Sequence, residues 1–171
     1  AAAGMLGWVI TEWWKSGKPT ALGAASGAVA GLVAATPAAG FIGPISALGL
    51  GFVAGAVCFV AVSLKWRLGY DDALDVVGVH LVGGTLGALA TGFLATKAVN
   101  SLGDNGAFFG NPALLGAQAI SVIATIAYAF VITVVLLKII DAIVGLRVSE
   151  DDEKTGLDLS LHSEAGYALH G

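Results

Sequence analysis

The sequence predicts an all-α fold, a polytopic transmembrane helical bundle followed by a short tail in water. Three observations carry that prediction. Hydrophobic residues make up 57% of the chain and charged ones only 12%, against roughly 25% charged in an average soluble domain. The charges gather in islands, Lys15 with Lys18, Lys65 with Arg67, Asp71 and Asp72, and the stretch after Lys138. The apolar runs between them approach the roughly 20 residues that a helix needs to cross about 30 Å of hydrocarbon.

In chain order, "AAAGMLGWVITEWWK" comes first. It has no basic stretch ahead of its apolar part, so it reads as the end of a helix begun further upstream and not as a signal peptide. Runs over residues 20–38, 45–64, 73–96 and 113–146 then predict four full crossings. The breaks "KSGKPT", "TPAAGFIGP", "KWRLGYDD" and "VNSLGDNGAFFGNP" combine Gly, Pro, Asn and Asp with charge, which is turn chemistry. The last run, about 33 residues, would be about 50 Å long at 1.5 Å per residue. It must tilt, bend or continue as a helix beyond the membrane. The domain division is therefore 1–146 for the transmembrane helices and 147–171 for a cytoplasmic C-terminal tail.

Orientation follows from Lys and Arg, which cytoplasmic loops retain. Lys15, Lys18, Lys65, Arg67, Lys138, Arg147 and Lys154 fall on one side and Lys97 on the other, which puts the C-terminus in the cytoplasm. Trp13, Trp14 and Trp66 then lie at the inner interface, where amphipathic rings are favoured. Glycines recur at four-residue spacing, Gly23, Gly27 and Gly31, then Gly51 and Gly55, then Gly83 and Gly87. Such ridges let helix backbones approach closely in lipid, where apolar contact alone drives nothing together.

The formal charge of −4 comes mainly from "SEDDEKTGLD" and describes a solvated terminus; no nucleic-acid surface is implied. Cys58 is the one cysteine, so an intramolecular disulfide and a cysteine metal cluster are both out of reach. With a single histidine in the spans, no metal site, no cofactor and no enzymatic chemistry is predicted.

Asp75 and His80 are ionisable groups in or near an otherwise apolar span, and such groups mark functional sites because charge in hydrocarbon is expensive. Asp75 lies at the mouth, where it either caps or braces the helix start. His80 lies deeper among Val76, Val77 and Val79. Loss of water there favours the uncharged imidazole, which keeps one N–H donor and one acceptor. Two readings stand for it: lining of a dry passage that suits a small neutral polar molecule better than an ion, or packing between two helices. Gln118, Ser121 and Thr125 share one face of the last helix and suit hydrogen bonding between helices or lining of a pore. In the tail, Ser149 before "EDDEK" predicts an N-cap and Gly156 a stop. A second element around "SEAGYALHG" would present His162, Glu164 and Tyr167 to a partner, unless the acidic tail stays disordered.

The stretches "GKPTALGAASGAVAGLVAATPAAGFIGP", "GYDDALDVVGVHLVGG" and "GLRVSEDDEKTGLDLSLHSEAGYA", in that order and spanning nearly the whole chain, resemble the C-terminal part of the ammonium transporter family, which includes the methylammonium permeases and Rhesus proteins. The resemblance implies the C-terminal part of an eleven-helix inverted-repeat fold, assembled as a homotrimer in the cell membrane with one narrow pore per subunit. Six further helices ahead of Ala1 would carry a second pore histidine and the outer cation-binding residues. Ammonium or its analogue methylammonium would lose a proton at the outer mouth, and ammonia would pass the histidines. By motif, His80 corresponds to a pore histidine, Val76 to an apolar pore-lining position and Asp75 to the acidic residue beneath that histidine, with Gly83 and Gly84 supporting the pore helix. Gly145, Arg147, Gly156, Asp158, His162, Glu164 and Tyr167 match a regulatory tail that in relatives answers to PII-type signalling proteins, and Ser160 falls where some relatives carry a phosphorylatable hydroxyl. Leu81 departs from the glycine common after the histidine. Other readings are a non-conducting regulatory module, or a proton-coupled carrier with Asp75 and His80 as its relay.

Overall fold

Apolar runs wind into helices wherever the turn residues between them permit. The computed structural model describes residues 1–166. In it, α1 spans Ala2–Ser16, α2 Ala21–Ala35, α3 Pro44–Leu68, α4 Val82–Leu94 and α5 Pro112–Val144, with a π-helical turn, Val77–Leu81, leading directly into α4. Two short helices follow, α6 over Glu150–Thr155 and α7 over Leu157–His162. Among the described residues three helical segments are long and apolar enough to cross a membrane: Pro44–Leu68, Val77–Leu94 and Pro112–Val144.

Two expected crossings are shorter than the apolar runs that encode them. α2 has 15 residues, or about 22 Å at 1.5 Å each. Pro37 has no N–H to continue its ladder, and the chain winds on through turns such as Ala38 N–H to Ala35 O and Phe41 N–H to Ala38 O. The run expected from residue 73 becomes helical only near Val77, because Asp75 adopts φ 57°, a left-handed conformation that no α-helix accommodates.

The chain divides into two units, Ala1–Ala124 and Thr125–Gly171. In the first, α1 packs against α2 and α3, and α4 with its π turn packs against both of them too. Contact is at backbone distance. A Cβ on Gly55 would overlap the Gly4 carbonyl oxygen and sit 2.8 Å from Trp8 N, and one on Gly4 would sit 2.7 Å from Gly31 Cα. Gly87 is pressed against the Ala34 carbonyl in the same way. The glycine ridges thus meet backbone at Gly27, Gly31, Gly55 and Gly87, whereas Gly23 faces the Glu12 and Thr20 side chains, Gly83 faces Cys58 and Val33, and Gly51 touches only at 3.5 Å. Gly4 and Gly7 complete the ridges from α1. Two buried clusters fill the remaining space, one of Ala34, Ala38, Ile42, Leu50, Ala54 and Ala90, the other of Trp8, Ala30, Cys58, Phe59 and Val79. Trp8 and Phe59 meet edge to face with centroids 5.6 Å apart, a favoured aromatic geometry.

At one end of this unit Glu12 of α1 reaches over the loop to the start of α2. Its carboxylate accepts from Thr20 N at 3.2 Å and from Thr20 Oγ1 at 2.9 Å, while Thr20 Oγ1 caps α2 by accepting from Gly23 N at 2.9 Å. Glu12 is buried, and these donors offset its loss of water. At the opposite end the loop after α2 is stitched to the loop after α4, Thr96 N donating to Phe41 O at 2.9 Å. α5 is one uninterrupted helix with no buried residue, and its Gln118, Ser121 and Thr125 make no side-chain hydrogen bond among the described residues, so the helix-bridging reading finds no partner.

In the second unit Gly145, at φ 80°, follows the last residue of α5 and donates to Asp141 O at 3.2 Å. Ser149 caps α6, its Oγ accepting from Asp152 N at 3.1 Å, and Gly156 ends it at φ 96°. Both follow the tail chemistry expected. A further helix, α7, occupies Leu157–His162 and stops at Ser163, which adopts φ 54°; of the second element expected around residues 163–171, only 163–166 are described, and these are not helical. Tyr167 lies outside the described residues.

Candidate functional site

His80 is the fourth residue of the π turn, a wide turn that tends to appear at functional positions. The turn is built from its first residues upward. Asp72 caps it, Oδ1 accepting from Val76 N at 2.8 Å and Oδ2 from Val77 N at 2.9 Å; acceptors are favoured there because the first helical N–H groups have no partner of their own. Asp75, the residue expected to cap or brace the start, braces it. Its carboxylate pairs with Lys65 Nζ near the end of α3, its carbonyl accepts from Val79 N at 2.8 Å, and Lys65 Nζ also donates to Asp72 O at 2.8 Å.

The opposite side of the turn is locked from α3. Gly78 lies so close to Val62 that a Cβ would come within 3.0 Å of Val62 N. Cys58 Sγ donates to the Val79 carbonyl at 3.8 Å. Gly83, one turn on, would bring a Cβ to 3.3 Å from Cys58 Sγ, in keeping with a supporting role in helix packing.

With that side fixed, Val76, Val77, His80 and Leu81 all emerge on an exposed face, and a Cβ on Gly84 would meet nothing within 4 Å. Val79 corrects one expectation: it is buried in the core with Trp8 and Phe59 and does not surround the imidazole. The packing reading of His80 also fails within this chain, since its ring is exposed and makes no hydrogen bond or ion pair among the described residues. The face is thus apolar and open, with one imidazole as its hydrogen-bonding group.

Beside Asp75, before the start of the turn, lies a cavity of about 280 Å³ whose polar lining includes Glu12, Thr20, Ser26, Ser63 and Asp75 and which His80 does not line. The sequence pointed to Asp75 alone of these. Lys65 and Asp72 were missed as well, because contacts across ten residues and a cap displaced by a left-handed residue leave no periodic signal. Among the described residues no three His, Cys, Asp or Glu side chains form a metal-holding group. In the tail Arg147 pairs with Glu153 at 3.4 Å, the Asp158 carbonyl accepts from Glu164 N at 2.9 Å, and Ser160 Oγ is shut off from solvent without a partner among the described residues.

The profile of the Ammonium Transporter Family matches residues 1–167. The chain belongs to the ammonium transporter family. It is 50% identical over 168 residues to an ammonium transporter of Bacillus subtilis, covering 98% of this chain and 42% of that protein. It is 48% identical over 167 residues to the ammonium transporter Amt1 of Archaeoglobus fulgidus, again covering 98% of this chain and 42% of the relative. Among solved structures it superposes on Mep2 of Saccharomyces cerevisiae with a TM-score of 0.81 at 38% identity, covering 88% of this chain and 35% of that one. A protein described as a sensor Amt protein superposes with a TM-score of 0.81 at 26% identity, covering 94% and 39%. The chain thus spans well under half the length of these family members. The helical fold of ammonium transporters and the membrane as its solvent are established by these likenesses together with the three long apolar helices.

Proposed function

We propose that this chain supplies one wall of an ammonia-conducting passage in a larger ammonium transporter of the cell membrane. The observation that carries the proposal is the imidazole of His80 on an otherwise apolar, exposed face of a membrane-spanning segment. A lone hydrogen-bonding group facing lipid would be costly, whereas against a passage closed by the remainder of the protein it offers a donor and an acceptor to dehydrated ammonia. Ammonium would leave its proton at the outer mouth, and Val76, exposed one turn before His80, would line the path. Family membership supports the substrate.

Other features of the chain support further parts of this reading. The sequence distribution of Lys and Arg among alternate loops supports a cytoplasmic C-terminus, and the tail, with Asp158 and His162 on its second short helix and Gly145, Arg147, Gly156 and Glu164 flanking its helices, suits a regulatory element that a PII-type protein contacts, within a homotrimer. A proton relay through Asp75 is disfavoured, because that carboxylate is already held by Lys65.

The test is uptake of labelled methylammonium by the intact protein in liposomes. Saturable uptake, competed by ammonium and unaffected by other small amines of larger size, is expected. Uptake indistinguishable from empty liposomes would refute the transport reading.

A further inference from the structure

Asp72 and Asp75 hold the start of the turn that presents His80, and Glu12 shares a cavity with Asp75, but the three carboxylates are not equivalent. Glu12 is spent on Thr20, whose backbone N–H and hydroxyl both donate to it. Asp72 is spent on the backbone, capping Val76 and Val77. Asp75 lines the cavity, and its one side-chain partner among the described residues is the Lys65 ammonium. That pair is partly shielded, Lys65 being 12% and Asp75 30% exposed. An uncovered carboxylate in such a place would hold any cation that reached it, since Coulomb attraction grows as water is excluded.

We propose that Lys65 is a specificity-determining residue, a tethered counter-cation that occupies Asp75 so that the approach to His80, at the start of the turn that presents it, passes a neutral solute and retains no free cation. The inference rests on the transport reading above. It assigns the ion pair a task distinct from loop bracing: the carboxylate fixes the turn that presents His80, and the ammonium cancels the charge this fixing would otherwise leave in the path. Asp75 can then stand beside the passage without becoming a cation trap.

Loop bracing and charge cancellation make opposite predictions for a double substitution. In the intact protein, Lys65→Met uncovers the carboxylate, and Lys65→Met with Asp75→Asn removes both charges while leaving the clamp just as broken. Methylammonium uptake is measured in liposomes against increasing potassium or guanidinium. Lys65→Met is expected to be blocked at cation concentrations at least about tenfold lower than the wild type, and the double variant to return to the wild-type cation response. A double variant as cation-sensitive or as inactive as the single one would overturn the proposal and leave Lys65 a purely structural clamp. If Lys65→Met fails to reach the membrane, with or without rescue in the double variant, the pair is structural and the proposal falls. Uptake that proceeds in all variants with one cation response overturns the inference and leaves the transport reading intact, whereas a wild type without uptake removes both.

Discussion

Replacing Gly55 with Val is expected to abolish the packed bundle. A Cβ at that position overlaps the Gly4 carbonyl and stands 2.8 Å from Trp8 N, so the obstacle is backbone on a packed helix and not the end of a side chain that could swing aside. Overpacking of this kind costs about 1–3 kcal/mol even where side chains can adjust, and here the whole of α1 must move away from α3. That movement would also open the contacts of Trp8 with Phe59 and of Gly4 with Gly31. The measurement is the yield of monodisperse protein in detergent and its thermal midpoint, with Gly49→Ala as control. A Cβ on Gly49 meets nothing within 4 Å, and Ala improves helix propensity, so that variant should match or exceed the wild type.

The second large effect concerns transport with the fold intact. His80→Ala removes an exposed ring that contributes to neither buried cluster, so the bundle should assemble at normal yield. What disappears is the donor and acceptor offered to dehydrated ammonia. Loss of a hydrogen bond in a dry setting is worth about 1–3 kcal/mol, and each 1.36 kcal/mol on a barrier is about tenfold in rate. Methylammonium uptake per assembled protein should therefore fall by about tenfold to a hundredfold. Unchanged rate and selectivity in that variant would remove His80 from the path.

Where the sequence can be read, composition does most of the work. The apolar runs at 45–64 and 113–146 become α3 and α5 within a few residues, because length and hydrophobicity alone decide whether a segment belongs in lipid. Ser149 and Gly156 are equally legible, since an N-cap hydroxyl and a left-handed glycine act on their immediate neighbours. The π turn is not legible. Val77–Leu81 has the same apolar residues as an α-helical turn, and the wider winding comes from tertiary constraints, Lys65 and Asp72 from one side and Val62 and Cys58 from the other. Val79 shows the consequence. Counted along the chain it neighbours His80, but the turn sends it into the core with Trp8 while the imidazole emerges on the open face. The pairing of Asp75 with Lys65 is likewise invisible in sequence, because it depends on α3 and the π turn meeting at one end of the bundle.

The central claim, that the face carrying Val76 and His80 borders a passage and not lipid, is tested most directly by thiol labelling at residue 76 in the intact protein. Cys58 is fully buried, so within this chain a cysteine introduced by Val76→Cys would be the reactive thiol, and any accessible cysteine elsewhere in the intact protein is replaced by serine first. Labelling by a small, water-borne methanethiosulfonate that is slowed by ammonium and stops uptake is the expected result. Reaction with lipid-soluble reagents alone, with uptake unaffected by the modification, would contradict it.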